Sequence, residues 1–167
     1  MAQLNNMLAL FAVMTTMNGH AVQMEPVQDT WICEEYQVYA EEIGEQYNIC
    51  PELIMAIIER ESSGQADAVN GSCKGLMQVS ERWHCDRMEK LGVTDLYDPY
   101  SNILVGTDYL VDLIERYEEL PMVLMTYNGS SDAAERMESG NFTEYATGII
   151  ERAEDLEKLR LYNGGIE

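Results

Sequence analysis

Apolar residues recur along most of the chain at the three- and four-residue spacing of α-helices. Helices are predicted over the following segments: 33–47, a second opened by Cys50-Pro51-Glu52, short pieces from Gly75 towards Leu91, a long one after Asp98-Pro99, Pro121 to Tyr127, 131–138, and 142 to about 161. Residues 65–74 are predicted to be a loop, and no segment shows the two-residue alternation of a strand. The pattern therefore predicts an all-α fold, with one globular domain over residues 31–162.

The second predicted helix carries one acid in an unusual place. Its apolar face is formed by Leu53, Ile54, Ile57 and Ile58. At 100° per residue, Glu61 falls about 10° from the centre of that face, whereas Glu59 projects to the opposite side, where a solvated carboxylate is expected. Glu61 thus continues an apolar stripe at the C-terminal end of the helix.

This position of Glu61 predicts a raised pKa. Apolar surroundings and the negative end of the helix dipole both disfavour the carboxylate anion. A carboxylic acid that stays protonated near neutral pH is what the protonation of a glycosidic oxygen requires. The alternative is that the helix ends earlier and that Glu61 turns to solvent.

The charge balance narrows the classes of partner. The chain has 10 basic and 30 acidic residues, which give a formal net charge of −20. Such a surface repels nucleic acid and anionic membranes, so neither is expected as a partner. It supplies no attraction to an anionic cell wall either, so a ligand there would have to be held by a groove.

The N-terminal 21 residues form a separate segment. Residues 7–17 are an apolar run of the length of a signal-peptide core, too short for a stable membrane span, and small residues follow it. The run is not preceded by Lys or Arg, which a secretory signal normally has. Residues 1–21 are therefore interpreted as a signal peptide, which implies an exported protein, or as a mobile apolar arm.

Four cysteines, an even number, are compatible with two disulfides in an oxidising compartment, and four free thiols are the alternative. The first pairing considered is Cys50 with Cys73 and Cys33 with Cys85, and the sequential pairing of Cys33 with Cys50 and Cys73 with Cys85 stays open. No pair has C-x-x-C spacing and the two histidines lie apart, so no metal site is expected.

Four short motifs occur in order along the chain. They are ERESSG at 59–64, KGLMQVS at 74–80, MTYNGS at 125–130 and EYATGII at 144–150. In this combination the chain resembles the soluble lytic transglycosylases, whose catalytic domain has the goose-type lysozyme fold. The resemblance covers roughly residues 47–153 and implies a single lysozyme-like domain.

The resemblance implies a role for each matching residue. Glu61 would be the catalytic acid, and the substrate-binding residues would be Ser62, Met77, Gln78, Tyr127, Asn128 and Tyr145. Gln78 and Met77 would line the sugar groove, and Tyr127 would bring its hydroxyl near Glu61. Asn128 would shape the turn below, and Tyr145 would close the groove. Met77 and Tyr145 are equally compatible with plain packing roles.

Two positions depart from the family pattern. The glycine of Y-N-x-G stands one place earlier here, as Gly129, and Asn141 occupies a position where an acidic residue is usual. Both departures concern the substrate groove, so they affect the expected specificity more than the reaction type.

The implied reaction is cleavage of the β-1,4 bond between N-acetylmuramic acid and N-acetylglucosamine in peptidoglycan, with a 1,6-anhydro product. Glu61 would act as the single acid and base, without a cofactor. One alternative is a hydrolytic muramidase, which needs a second carboxylate such as Asp67, Asp86 or Asp95. Another is a non-catalytic wall-binding or structural module. The expected protein is a monomer, exported or wall-associated, from a bacterium or a phage.

Overall fold

The computed structural model describes residues 29–163. Within them the elements follow in this order: α1 (Glu34–Tyr47), α2 (Pro51–Ser62), β1 (Val69–Asn70), β2 (Cys73–Lys74), β3 (Val79–Ser80), α3 (Glu81–Leu91), α4 (Pro99–Arg116), α5 (Leu120–Tyr127), α6 (Ala133–Ser139) and α7 (Glu144–Asn163). The mostly helical fold confirms the predicted class. The predicted signal peptide or apolar arm at 1–21 lies outside the described residues.

Helix α2 is the central element of the domain. It packs against α7 and α1, while α1 also packs on α4, and α5 contacts both α4 and α7. All side chains from Leu53 to Ile58 are buried, including Met55 and Ala56, which the predicted one-sided face had left out. A helical segment that is apolar on all sides, as 53–58 is, is a buried one. The chain therefore carries Glu61 at the end of the core helix.

The position at which α2 ends decides between the two alternatives for Glu61. The helix continues through Glu61 to Ser62, and Ser63 ends it in the left-handed conformation at φ 53°. The buried Ser62 hydroxyl donates to the Ile58 carbonyl oxygen at 3.1 Å. An earlier end of the helix, which would have released Glu61 to solvent, does not occur.

The segment between α2 and α3 differs from the prediction. Its three two-residue strands form an antiparallel sheet in the order β1-β2-β3, with Asn70 opposite Cys73 and Lys74 opposite Val79. The helix predicted from Gly75 begins instead at Glu81, because Gly75 and Gln78 both have positive φ angles, which interrupt a right-handed helix. Strands this short leave no alternation that a sequence could reveal.

Helix α3 is fastened to α4 by an ion-pair cluster. The Arg87 guanidinium bonds the carboxylates of Asp108 and Asp112, and the Tyr47 hydroxyl donates to Asp108 at 3.0 Å. Asp108 is buried, so its charge needs these partners. The cluster joins α1, α3 and α4 behind the aromatic side chains described below.

Glu59 is not the solvated carboxylate that the helical wheel predicted. Its side chain is only 9% exposed and binds Arg152 of α7, with Nε at 2.6 Å and Nη2 at 3.0 Å. The Thr30 hydroxyl and the Trp31 amide also donate to Glu59. Because residues 29–32 lie over this side of α2, a carboxylate that faces away from the apolar stripe is covered all the same.

The four cysteines are free thiols in this structure, so the predicted disulfides are not formed. Cys50 precedes the first turn of α2, a helix about 18 Å long. Cys73 lies near Tyr127, as does Glu61, which belongs to the opposite end of that helix. Cys33 and Cys50 flank opposite ends of α1, which excludes the alternative pair. Cys33 and Cys85 are both exposed.

No helix within the described range is both long enough and apolar enough to cross a membrane.

Candidate active site

Glu61 is a part-buried acid with one oxygen already engaged. The Tyr145 hydroxyl donates a hydrogen bond to its Oε1 atom. Burial raises the pKa of Glu61 above its ordinary value, and this outweighs the opposing effects of the Tyr145 hydrogen bond and of the Arg60 charge. Glu61 is thus biased towards the protonated form, as its place on the helix predicted.

Tyr145 reaches Glu61 from the first turn of α7. Its side chain is 8% exposed, and the Arg60 guanidinium lies 5.7 Å from the centre of its ring. Burial and the nearby Glu61 charge raise the pKa of Tyr145, which keeps the hydroxyl protonated. Tyr145 was expected only to close the groove. It instead contacts the acid directly, as a hydrogen-bond donor.

The charge of Glu61 acts on the pKa of Tyr127, but the Tyr127 hydroxyl bonds a different residue. It donates to the Met77 carbonyl oxygen at 3.0 Å. Burial, and then the Glu61 charge, raise the pKa of Tyr127 well above its ordinary value. Asn128 ends α5 with its amide donating to the Leu124 carbonyl at 3.0 Å, and Gly129 follows at φ 75°. These residues form the turn beneath the site.

The turn at 75–78 is held against α4 by a buried asparagine. The Asn102 Oδ1 atom accepts the Met77 amide at 2.8 Å, and its Nδ2 atom donates to the carbonyls of Lys74 and Leu96 at 2.9 and 2.8 Å. A Cβ at Gly75 would lie 2.2 Å from Nδ2, so only glycine fits there. The Met77 side chain is completely buried and packs on Gly106, so it lies below the groove instead of lining it.

Gln78 is held in an unusual conformation beside the site. Its φ of 49° is in the left-handed region, which is uncommon for a side chain of this size. The Nε2 atom donates to the carbonyls of Ala68 and Gly75 at 3.2 and 2.9 Å, which fixes the orientation of the amide. Its buried Oε1 atom has no hydrogen-bond partner among residues 29–163. Such strain and such an unpaired acceptor are typical of a functional position.

A cavity of about 410 Å³ opens beside Gln78 and Tyr127. Among the described residues eleven line it, and none of them is Asp, Glu, Lys or Arg. Glu61 is not part of this lining, but Tyr127 lines the cavity and interacts electrostatically with Glu61. The cavity is therefore a neighbouring extension of the acid's surroundings.

Aromatic side chains form one wall of the cavity. His84 contacts Tyr109 with ring centres 4.6 Å apart and ring planes tilted by 56°, and Tyr109 contacts Tyr127 at 5.3 Å. The Arg87 guanidinium lies 5.5 Å from the Tyr109 ring centre, on the side of the ion-pair cluster. Burial and the Arg87 charge lower the pKa of His84, so the imidazole is neutral at neutral pH. α3 is kinked at His84, consistent with the prediction of a helix in pieces.

Sequence reasoning missed Asn102, His84 and Tyr109. Asn102 and Tyr109 share one face of α4, seven positions apart, and a polar residue within an apolar stripe could have marked that face. His84 gave no such signal, since one histidine in a polar helix is usually solvated. Ser62 adjoins the acid, but its hydroxyl is used within α2.

The three aspartates considered for a second carboxylate are exposed. Asp95 accepts the Tyr97 amide at 2.8 Å, and Asp86 accepts from the Cys85 thiol at 3.5 Å. None of them is among the described groups that shift the pKa of Glu61. Within residues 29–163 no group of three His, Cys, Asp or Glu side chains is arranged to hold a metal ion.

Comparison with known proteins gives a consistent result. The family described as Transglycosylase SLT domain matches residues 38–147. The chain is 34% identical over 90 residues to the Transglycosylase of Enterobacteria phage PRD1, a match that covers 53% of this chain and 32% of that protein. It is 30% identical over 145 residues to the Membrane-bound lytic murein transglycosylase C of Serratia proteamaculans, covering 77% of this chain and 40% of that protein.

A third relative carries a different name. The chain is 28% identical over 148 residues to Lysozyme g of Gallus gallus, covering 76% of this chain and 66% of that protein. The chain thus spans between about a third and two thirds of the length of these three relatives.

Proposed function

The chain belongs to the transglycosylase SLT domain family, and we propose that it is a peptidoglycan lytic transglycosylase in which Glu61 is the single acid and base. It cleaves the β-1,4 bond between N-acetylmuramic acid and N-acetylglucosamine and leaves a 1,6-anhydro end. The observation that carries the proposal is the state of Glu61: a part-buried carboxyl group with a raised pKa and one oxygen held by Tyr145.

In the first step Glu61 protonates the glycosidic oxygen. The raised pKa increases the fraction of Glu61 that carries the proton this step requires. Since Tyr145 already donates to Oε1, we place the transferable proton on Oε2, the other oxygen of the carboxyl group. The muramic N-acetyl group stabilises the positive charge that develops at C1 as the bond breaks.

In the second step the Glu61 carboxylate acts as the base. It takes the proton from the sugar's own 6-hydroxyl while that oxygen closes on C1, so no water is consumed. Attack within one molecule has a high effective concentration. The Tyr145 hydrogen bond stabilises the carboxylate between the two steps, because it favours the charged form.

The groove beside the acid receives the glycan strand. The unpaired Oε1 atom of Gln78 accepts a hydrogen bond from a sugar hydroxyl or N-acetyl amide. Tyr127 and Asn128 hold the turn opposite it. Ser62 and Met77 support the groove from below, since both side chains are buried.

The environment of Glu61 favours this reaction over hydrolysis. A retaining hydrolase places its two carboxyl groups about 5–5.5 Å apart, and an inverting one about 6.5–9.5 Å apart. At such distances a second carboxylate would raise the pKa of Glu61 further. Besides burial, however, the described groups that act on this pKa are Tyr145 and Arg60, and both lower it. Because one relative is named Lysozyme g, a hydrolytic muramidase is the second candidate function.

The substrate lies outside the membrane, so we propose that the protein is exported or associated with the cell wall and works as a monomer. With a net charge of −20, the surface does not attract an anionic wall. Two of the relatives carry the name transglycosylase, and one of them the term lytic murein transglycosylase. These names support peptidoglycan as the partner.

Product analysis tests the proposal. Purified peptidoglycan is incubated with the wild type, with Glu61→Gln, and with the triple variant Asp67→Asn, Asp86→Asn, Asp95→Asn, and the released muropeptides are identified by mass spectrometry. We expect 1,6-anhydro-muramic ends from the wild type and the triple variant, and none from Glu61→Gln. Reducing muramic ends that the triple variant no longer produces would establish the muramidase. No release by the wild type, with binding of glycan retained, would indicate a wall-binding module.

A further inference from the structure

The two tryptophans of the chain are equally exposed but differently placed. Trp31 and Trp83 are each 74% exposed. Trp83 lines the cavity of about 410 Å³ next to the active site, whereas Trp31 lies in the segment over Glu59. Together with His84, Tyr109 and Tyr127, Trp83 gives this cavity the aromatic lining that is typical of ligand-binding pockets.

From this arrangement we infer that the cavity is a subsite for an uncharged N-acetylated sugar unit of the glycan strand, with Trp83 as its stacking platform. The cavity shares Gln78 and Tyr127 with the proposed active site, so one strand can reach both. The identity of the sugar rests on the proposed function, whereas the cavity and its chemistry do not.

The lining determines which chemical class fits. In a protein with 30 acidic residues, the described residues around this cavity contribute no carboxylate and no cation. His84 adds no charge at neutral pH, because its pKa is lowered. Hydroxyl and amide groups come from Ser80, Thr126 and Gln78. The lining itself therefore offers no cation to the carboxylates of a peptide stem, whereas an uncharged sugar meets both aromatic faces and hydrogen-bonding groups.

Trp83 presents one usable face. The Arg82 guanidinium lies 5.2 Å from the centre of its ring and covers one side of the indole. Because the side chain is 74% exposed, most of the indole remains accessible, and the C–H groups of a sugar ring can pack on it. The cation is attracted to the π-system of the ring.

Intrinsic fluorescence gives a direct readout, because the chain has only two tryptophans. The variant Trp31→Phe, Glu61→Gln leaves Trp83 as the only tryptophan and cuts nothing. We expect saturable changes in its emission when it is titrated with the N-acetylglucosamine tetramer. The matched variant Trp83→Phe, Glu61→Gln, which keeps only Trp31, should show no change. An equal response from both variants would overturn the assignment of Trp83.

The chemical class is tested with the fully deacetylated, cationic tetramer. Attraction to the acidic surface would favour that probe and weaken with added salt. The neutral cavity should instead prefer the acetylated tetramer and bind it with little dependence on salt. Preferential, salt-sensitive binding of the cationic probe would overturn the proposal.

Kinetics separates this inference from the proposed function. With Glu61 intact, Trp83→Ala should raise KM for peptidoglycan about three- to tenfold with little change in kcat, the range expected from one aromatic contact. Trp83→Tyr should restore part of this, and Trp31→Ala should match the wild type. Tetramer binding that moves the Trp83 emission without cleavage by the wild type would defeat the proposed function and keep the subsite. Cleavage by the wild type, with an unchanged KM in Trp83→Ala, would keep the proposed function and defeat the subsite.

Discussion

The hydroxyl of Tyr145 on α7 donates a hydrogen bond to the Oε1 atom of Glu61 on α2, although 84 positions separate them in the sequence. The two helices pack against each other along the core, so the contact follows directly from the fold. It has two opposite consequences for the acid. Burial between the helices raises the pKa of Glu61, while the hydrogen bond holds that rise in check.

Tyr145→Phe should therefore move the alkaline limb of the pH–activity profile upwards. Glu61 must start protonated, so activity falls as the pH rises through its pKa, and removal of a contact that lowers this pKa shifts the fall to higher pH. We also expect kcat to drop about tenfold, since the carboxylate intermediate loses a charge-assisted hydrogen bond. Tyr39→Phe is the matched control, because Tyr39 donates to Glu35 at 2.7 Å on the surface. An alkaline limb that stays in place would contradict this role of Tyr145.

Glu61→Gln should abolish cleavage and yet stabilise the fold. A raised pKa in the folded state means that wild-type stability is lost as the pH rises through that pKa. The variant and the wild type should thus melt together below the ordinary glutamate pKa and diverge towards neutral pH, with the variant higher. For a domain of this size each 1 kcal/mol corresponds to about 2–4 °C in Tm. Thermal melts between pH 4 and 8 measure the difference, and a variant that melts lower at pH 7 would rule out the explanation.

Much of the fold and the main acid could be predicted because their signals are local. Proline marks the starts of both α2 and α4, Asp98 caps α4, and the helical spacing brings Glu61 into line with the apolar core. The family motifs then point to Tyr127 and Tyr145, both of which the structure brings near Glu61. What the sequence could not give was which atom each tyrosine hydroxyl contacts, since that depends on how α5 and α7 pack.

The incorrect predictions for individual residues also arise from the packing of distant segments. Glu59 faces away from the apolar stripe, but Arg152 and residues 29–32 cover it. A helical wheel shows only one helix, so it cannot predict contacts from other segments. Asn102 has the pattern of an ordinary polar residue in a long helix, yet it bonds three backbone groups, two of them in the distant segment 74–77. Such tertiary contacts override local pattern and propensity.

Asn102→Ala should damage the active site through the 75–78 turn. It would leave the Met77 amide and the carbonyls of Lys74 and Leu96 without their partner, at about 1–3 kcal/mol for each buried group that finds no water. We expect a marked fall in Tm together with a higher KM. Asn70→Ala, in the exposed strand β1, is the control and should behave as the wild type. A fully active, equally stable Asn102→Ala protein would show that the turn is held by other contacts.

Glu59→Gln should produce the opposite pH dependence to Glu61→Gln, only two residues away. Burial opposes the charge of Glu59, but Arg152, Thr30 and the Trp31 amide together outweigh it and lower its pKa. Its contribution is therefore present above the ordinary glutamate pKa and is lost as the pH falls through the lowered one.

Loss of this pair should cost about 1–3 kcal/mol at pH 7, less than for a fully buried pair, because Arg152 is 30% exposed. The difference from the wild type should shrink towards pH 3. Hydrogen exchange at the Trp31 amide, which donates to Glu59 at 3.3 Å, should quicken in the variant. Unchanged exchange would mean that residues 29–32 are fixed by something other than Glu59.

A pair of glycine-to-alanine changes tests how closely α4 must approach the active-site turn. At Gly106 an added Cβ would lie 2.7 Å from the Met77 Sδ atom and 2.9 Å from its Cβ, whereas at Gly148 in α7 nothing lies within 4 Å. Alanine is the better helix former, so Gly148→Ala should stabilise by about 0.5–1 kcal/mol. In Gly106→Ala overpacking of about 1–3 kcal/mol outweighs that gain. Because Met77 immediately precedes Gln78, its displacement should also raise KM for peptidoglycan. Denaturant unfolding and steady-state kinetics decide the matter, and equal stabilisation by both changes would mean that Met77 yields easily and does not position Gln78.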